Sequence, residues 1–415
     1  MKLFRKIAVL FLSAAASICA ASGGYGVAEP AAANGWEFVR SQNGKIVYIP
    51  FEGYYASKGG RVQSPEIPLE KVAGQAYYRL SFAAKAEKAG YWWVDLFDGK
   101  GNPLPDVNSA LYVSDDWIKY DVVVPVAAAA ASARLAFVVE AGTSVRDIRF
   151  EPIPVGEAAS WCDGFYATLP RLSPADLAKA TAGAFAKLPR TRRTLREGGS
   201  LHVLYLGDSI VNDTYCGNVT ALIQRDFPGV RFEFTVSVRG STGCWYYHRK
   251  ENFEEYVARH RPDLVLIGGI SNRMHEDSQG PAADCMERTI RRCREIGAEV
   301  AVLTPPPSYE FRVSPADADW HFGMKVPSNR AGNCLDIAFA LEAVGRTDCA
   351  FWDVTTPPAN AIRDSRKPLD WFKRDAAHNN DRGKQLIART LAAFFRSALS
   401  EDEQSRPTMN QGGKR

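Results

Sequence analysis

Apolar and polar positions alternate with a period of two along much of residues 35–152. In the stretch QAYYRLSFAAKA, the apolar residues Tyr78, Leu80 and Phe82 occupy every second position. Similar stretches (WWVDLFD, WIKYDVVVP, ARLAFVVE and DIRFEPI) are separated by turn signals such as DGKGN at residues 98–102. Short alternating strands joined by turns are typical of a β-sandwich. We therefore predict an all-β sandwich for residues 35–152.

The pattern changes in residues 200–398, where short apolar runs alternate with longer amphipathic segments. The runs LHVLYLG, RFEFTVSV, DLVLIGG, AEVAVLTP and CAFWDV predict strands. Helices are predicted at residues 212–226, 281–296, 333–345 and 383–398. This alternation predicts an α/β domain with a parallel sheet that is covered by helices on both faces. Ligands of such domains bind at the carboxyl ends of the strands.

Residues 1–28 have the pattern of a secretory signal peptide. Lys2, Arg5 and Lys6 precede an apolar run that ends in small residues. No later run is long enough to cross a bilayer, so we expect no stable membrane span after signal cleavage. An uncleaved membrane anchor is the alternative. The predicted location is therefore secreted or periplasmic.

Two segments lack a strong pattern. Residues 153–199 are predicted to be a linker with one short helix, which begins after Ser173 and Pro174. The basic run at residues 190–196 is typical of a solvated face. Residues 399–415 are polar and are predicted to be a disordered tail.

Composition and cysteine spacing narrow the range of partners. The chain has 51 Lys and Arg against 47 Asp and Glu, without a dominant basic face, so no nucleic acid is indicated. Seven cysteines remain after the signal peptide, and no pair has CxxC spacing, so no metal or other cofactor is indicated. Cys216 and Cys244 could form a disulfide or remain buried free thiols. No feature of the sequence indicates an oligomeric state.

Four short polar motifs follow predicted strands or precede the last predicted helix. They are Gly-Asp-Ser, which ends at Ser209, the glycine turn at residues 239–243, Asn272, and Asp375 three residues before His378. Ser209 could simply cap the following helix. A serine, a histidine and an aspartate at one sheet edge can also form a nucleophilic triad. In a triad, histidine takes the hydroxyl proton and the carboxylate fixes the tautomer of the imidazole.

In this order the motifs resemble those of the SGNH hydrolases, or GDSL-type esterases, over residues 200–398. The resemblance implies ester hydrolysis on a three-layer α/β/α, flavodoxin-like fold with a short parallel sheet. The roles that it implies are Ser209 as nucleophile, His378 as general base, Asp375 as its orienting carboxylate, and Ser209, Gly243 and Asn272 as the oxyanion hole. The asparagine that many family members carry five residues before the oxyanion glycine is replaced by Val238, so Gly240 is an alternative to Gly243.

The order of strands in residues 35–152 resembles that of jelly-roll carbohydrate-binding modules. This resemblance implies an acylated carbohydrate as the substrate. Trp93, which must face away from its neighbour in a strand, is a candidate substrate contact. Trp320, in a long aromatic loop, and His275, close to the Asn272 motif, are two further candidates.

We expect an exported serine esterase that removes O-acetyl or other short acyl groups from a polysaccharide. An acyltransferase, a lipid esterase and a non-catalytic glycan-binding protein are the alternatives. The favoured arrangement is a binding module tethered to an independent catalytic unit. The competing arrangement is a sandwich that packs over the catalytic sheet.

Overall fold

The structure is a computed structural model of the 415-residue chain. The residues that it describes are 27–28, 37–39, 46–49, 53–56, 60–70, 75–139, 142–268, 281–307, 332–375 and 377–399. Nearly all of the predicted signal peptide and all but one residue of the predicted tail lie outside these ranges. Within them, no helix has both the length and the apolar character needed to cross a bilayer.

The N-terminal part of the chain is built from twelve strands. These are β1 (Val27–Ala28), β2 (Glu37–Val39), β3 (Ile46–Ile49), β4 (Gly53–Ala56), β5 (Gly60–Gln63), β6 (Ile67–Pro68), β7 (Ala76–Ala86), β8 (Gly90–Asp98), β9 (Pro103–Leu111), β10 (Ser114–Val126), β11 (Ala130–Val139) and β12 (Thr143–Ile153). They form two antiparallel sheets with the orders β1-β3-β4-β12-β7-β10 and β2-β5-β11-β8-β9, and β6 pairs with β11. We call these two sheets the sandwich.

A single hydrophobic cluster contains residues of both sheets. Tyr78 and Leu80 of β7 lie in it together with Trp92 of β8 and Leu135 of β11. The alternation in the sequence therefore separates the core face of each strand from its outer face. The jelly-roll description of this part remains a prediction.

Three helices follow the sandwich. They are α1 (Val155–Ala167), α2 (Pro174–Thr181) and α3 (Pro189–Glu197). The linker prediction, with its one short helix, is corrected here, because Cys162, Phe185 and Leu188 are buried in the same core as the parallel sheet. The apolar residues that pack there are few and widely spaced in the sequence, so no periodic pattern indicated them.

The C-terminal part contains five strands and, among the described residues, eight helices. The strands are β13 (Gly199–Gly207), β14 (Val230–Val238), β15 (Leu264–Ile267), β16 (Glu299–Leu303) and β17 (Ala350–Trp352). The helices are α4 (Ser209–Cys216), α5 (Val219–Asp226), α6 (Cys244–Tyr247), α7 (Lys250–Tyr256), α8 (Ala282–Glu295), α9 (Gly332–Thr347), α10 (Thr356–Ser365) and α11 (Asp381–Ser397). The strands form one parallel sheet in the order β14-β13-β15-β16-β17.

Both faces of this parallel sheet are buried. Val203 and Tyr205 of β13 pack with residues of α5 and α11, whereas Leu204 and Leu206 pack with residues of α8 on the other face. The sheet therefore lies between two helical layers, as the alternation of strands and helices predicted.

The predicted helix at residues 212–226 is two helices, because the chain turns at Gly217 and Asn218. Asn218 has φ 60° and a left-handed backbone, which ends the helical hydrogen bonding. Gly217 lies against α11, where an added Cβ would come within 2.6 Å of the carbonyl oxygen of Lys384. The break thus allows α4 and α11 to approach closely.

The sandwich packs directly against the parallel-sheet part. The hydroxyl of Tyr77 lies 2.9 Å from Oγ1 of Thr220, and Asn218 Nδ2 donates to the carbonyl of Val123 at 2.8 Å. Tyr77 and Val123 also belong to an apolar cluster that contains residues of α1 and α5. This contact corrects the expectation of a tethered module, since Tyr77 on the outer face of β7 is covered by helices.

The six cysteines whose side chains the structure describes are buried thiols that form no disulfide: Cys162, Cys216, Cys244, Cys285, Cys293 and Cys349. Cys216 and Cys244 therefore do not form a disulfide, which was one of the two expectations for this pair. Cys216 belongs to the sandwich core, whereas Cys244 packs against the face of the parallel sheet that α8 covers. Burial raises the pKa of both thiols to about 12.

Candidate active site

Ser209 begins α4 directly after β13, at the carboxyl end of the parallel sheet. An added Cβ on Gly207 would lie 2.4 Å from Val211 and 2.6 Å from the carbonyl oxygen of Gly268, so this sharp turn requires glycine. The helix cap is Asp208, whose carboxylate accepts a hydrogen bond from the backbone of Ile210 at 2.9 Å. The side chain of Ser209 is therefore not needed as the cap.

His378 and Asp375 lie in the segment before α11 and reach Ser209. Nε2 of His378 is 2.8 Å from Oγ of Ser209, and Nδ1 is 2.9 Å from both carboxylate oxygens of Asp375. Asp375 Oδ1 also accepts hydrogen bonds from the backbone N–H groups of Ala377 and His378. The structure thus brings the three predicted triad residues into one hydrogen-bonded chain.

The carboxylate of Asp375 is held in its charged form. Burial alone would raise its pKa, but the ring and backbone N–H groups of His378 and the backbone N–H of Ala377 lower it well below the usual aspartate range. A charged Asp375 favours the His378 tautomer that has its proton on Nδ1. Nε2 is then free to accept a proton from the hydroxyl of Ser209.

The loop that carries the predicted oxyanion glycine passes beside Ser209. Gly240 and Ser241 line the same pocket as Ser209, and Ser241 has a left-handed backbone with φ 53°. Gly243 is the residue before α6 and is buried. Asn272, the other predicted donor, lies outside the described residues. The choice between Gly240 and Gly243 therefore stays a prediction, with Gly240 on the pocket wall.

Ser209 and His378 open into a pocket of about 560 Å³, a volume within the usual range for small-ligand sites. The parallel-sheet part contributes Asn212, Val238 and Arg374 to its wall besides the residues already described. The opposite wall comes from β8 and β9 of the sandwich and consists of Tyr91, Trp93, Pro103, Leu104, Pro105, Asp106 and Asn108. The pocket is thus shared between the two parts of the chain.

Trp93 lies on the pocket wall, and its role as a substrate contact stays a prediction. Trp92 is buried in the sandwich core, and Trp93 points from the opposite face of β8 into the pocket wall. Trp320 and His275, the other two candidate substrate contacts, lie outside the described residues. Asp106 and Arg374 were not predicted, because a lone Asp in a sandwich strand and an Arg beside a catalytic motif carry no signal before the two parts are docked.

Charged groups behind the triad are also paired. Asp213 is buried, and one of its oxygens accepts a hydrogen bond from the backbone N–H of Asn379 at 2.9 Å. Its other oxygen lies 3.5 Å from Arg374 and 3.6 Å from Lys384. These contacts hold the segment that carries His378 against α4. Among the described residues, no group of three or more His, Cys, Asp or Glu side chains is arranged to hold a metal ion.

Comparison with known proteins finds similar structures but no matching sequence. No protein-family model and no curated protein matches the chain. A two-domain esterase active on acetylated mannans matches at 19% identity with a TM-score of 0.42, over 55% of this chain and 58% of that structure. The chain is similar to esterases. Axe2, an acetylxylan esterase from Geobacillus stearothermophilus, matches at 16% identity with a TM-score of 0.37, over 48% of this chain and 95% of that structure. An acetyl xylan esterase, AlAXEase, matches at 17% identity with a TM-score of 0.33, over 46% of this chain and 98% of that structure.

Proposed function

We propose that this protein is an exported serine esterase that removes O-acetyl or other short acyl groups from a polysaccharide. The observation that carries the proposal is the hydrogen-bonded chain from Ser209 through His378 to Asp375 at a pocket wall. Export rests on the pattern of residues 1–28.

In the proposed reaction, Oγ of Ser209 attacks the ester carbonyl while Nε2 of His378 takes its proton. The tetrahedral oxyanion accepts hydrogen bonds from backbone N–H groups of Ser209 and of the loop at residues 240–243, and from the side chain of Asn272. Protonated His378 then gives its proton to the departing sugar oxygen. Water attacks the acyl-enzyme with His378 as base, which releases the carboxylic acid and frees Ser209.

A polysaccharide substrate is supported by the composition of the shared pocket. The sandwich wall offers the indole ring of Trp93 for contact with the apolar face of a sugar ring, and the polar side chains of Asp106 and Asn108 for its hydroxyls. The names of the similar structures, which are esterases of acetylated mannan and xylan, agree with this substrate class.

Replacement of the proposed nucleophile tests the proposal. We expect Ser209→Ala to abolish release of acetate from acetylated xylan and mannan and of p-nitrophenol from its acetate ester, since among the described residues Ser209 carries the hydroxyl that contacts His378. Ser160→Ala is the matched control, because Ser160 is an exposed residue of α1. Turnover by Ser209→Ala at the rate of the control variant would refute the nucleophile.

A further inference from the structure

The sandwich contributes to the pocket wall side chains that face away from its core, because side chains alternate between the two faces of a strand. Tyr91 and Trp93 lie on the face of β8 opposite the core residue Trp92, and Asp106 lies next to the core residue Val107 on β9. The pairing of β8 with β9 shifts register beside Asp106, which marks a bulge. Bulges re-aim side chains next to functional sites, and here the side chain of Asp106 lines the pocket.

Asp106 is held in place relative to the nucleophile. Its carbonyl oxygen accepts a hydrogen bond from Nδ2 of Asn212 at 2.7 Å, and Asn212 lies one turn after Ser209 on α4. Lys384 of α11 donates from Nζ to the carbonyl oxygen of Asn108, two residues further along β9. These contacts fix the backbone of β9 at Asp106 relative to α4 and α11.

Arg374 also lines this pocket, although its donor atoms Nε and Nη1 are themselves buried. Its side chain is only 8% exposed, and within the described residues Nε and Nη1 have no hydrogen-bond partner. Its charge is balanced by Asp213 at 3.5 Å and by Asp375 at 3.7 Å, which are ion-pair distances rather than good hydrogen bonds. The guanidinium is thus neutralised as a charge but incompletely satisfied as a donor, and this favours an uncharged oxygen ligand.

We propose that Asp106 and Arg374 together bind neighbouring hydroxyl groups of a neutral sugar, next to the oxygen that carries the acyl group. Asp106 accepts a hydrogen bond from one hydroxyl, and Arg374 donates to the other. A sugar carboxylate would face Asp106 and Asp375 and would find the charge of Arg374 already balanced. This inference rests on the proposed esterase function, and it identifies the class of sugar that the enzyme binds.

The surroundings of Asp106 act on the pKa of its carboxyl group in opposite directions. Burial raises the pKa of Asp106, and the amide of Asn108 and the positive charge of Arg374 act in the opposite direction. The hydrogen bond that Asn108 Nδ2 donates to Asp106 Oδ2 also fixes the orientation of the carboxyl group.

The test compares three esters: acetylated xylan as a neutral polymer, acetylated pectin as a polymer of sugar acids, and p-nitrophenyl acetate, which has no sugar. We expect the wild-type protein to prefer acetylated xylan to acetylated pectin. Asp106→Asn should lower kcat/KM on acetylated xylan about tenfold or more, chiefly through KM, and should lower it much less on p-nitrophenyl acetate. Asp115→Asn, an exposed aspartate on β10, is the control and should leave all three rates unchanged.

The outcomes separate this inference from the proposed function. A wild-type protein that is inactive on all three esters would refute the esterase. An active protein in which Asp106→Asn lowers the rates on xylan and p-nitrophenyl acetate equally would overturn only the sugar subsite. A preference of the wild-type protein for acetylated pectin would also overturn the sugar subsite.

Discussion

At the scale of single residues, the candidate site depends on how Asp375 holds His378. Both carboxylate oxygens of Asp375 lie 2.9 Å from Nδ1 of His378. The carboxylate also accepts hydrogen bonds from the backbone N–H groups of Ala377 and His378, so its own loop orients it. The three-residue spacing between Asp375 and His378 makes this local geometry possible. The sequence alone could therefore predict this pair.

We predict that Asp375→Asn lowers kcat on p-nitrophenyl acetate by roughly a thousandfold or more, because the amide can donate to Nδ1 and so favour the wrong tautomer of His378. The measurement is steady-state kinetics with circular dichroism as the control for folding. A variant that keeps a tenth of the wild-type rate would show that Asp375 does not orient the base.

The free energy of unfolding should depend on the protonation of Asp375. The folded-state pKa of Asp375 lies below its unfolded value, so its contribution to the free energy of unfolding is complete above the unfolded pKa. That contribution is lost as the pH falls through the folded pKa. Its size is modest, because the side chain is 37% exposed and solvent screens the pair.

At the scale of elements, the break between α4 and α5 sets the distance between the serine helix and α11. We predict that Gly217→Ala lowers the free energy of unfolding by about 1–3 kcal/mol, because the new methyl group would meet the backbone of Lys384 at 2.6 Å. Urea unfolding followed by fluorescence measures this difference.

The matched control for this change is Gly164→Ala in α1, where an added Cβ meets nothing within 4 Å. Removing a glycine from an exposed helix interior should stabilise the protein by about 0.5–1 kcal/mol. Equal midpoints for the two variants would mean that α11 can shift to accommodate the methyl group.

The strands and the three longest helices of the C-terminal part, α8, α9 and α11, were predictable because their apolar residues follow a period along the chain. The predicted helices at 281–296 and 383–398 correspond closely to α8 and α11. The break at Gly217 and the short helix α6 were not predictable, because contacts from distant parts of the chain determine them. The same holds for Asp106, whose role depends on which face of β9 meets α4.

At the scale of the whole molecule, the sandwich and the parallel-sheet part share both a packed interface and a pocket. The carbonyls of Asp106 and Asn108 are bound by side chains of α4 and α11, and Tyr215 donates to Gln75 at 2.9 Å. The sequence showed the two parts but not their docking, since surface complementarity has no periodic signal.

We therefore predict that a truncated protein starting at Val155 loses activity on p-nitrophenyl acetate as well as on acetylated xylan. Removal of the sandwich would expose the apolar cluster around Ala158 and Ala221 and delete one wall of the pocket. Solubility, circular dichroism and activity of the truncated chain are the measurements. Full activity of the truncated chain on p-nitrophenyl acetate would instead support a tethered binding module.

The buried thiols link the fold to its redox surroundings. A thiol reacts as a thiolate, and burial raises the pKa of Cys162, Cys216 and Cys244 to about 12, so these three thiols are almost unreactive in the native protein. Unfolding exposes all of them at once. Outside the cell, where oxidants are present, a chain that opens even briefly can form disulfides that the native state lacks. Loss of this protein by heat would then be governed by its rate of unfolding rather than by an equilibrium.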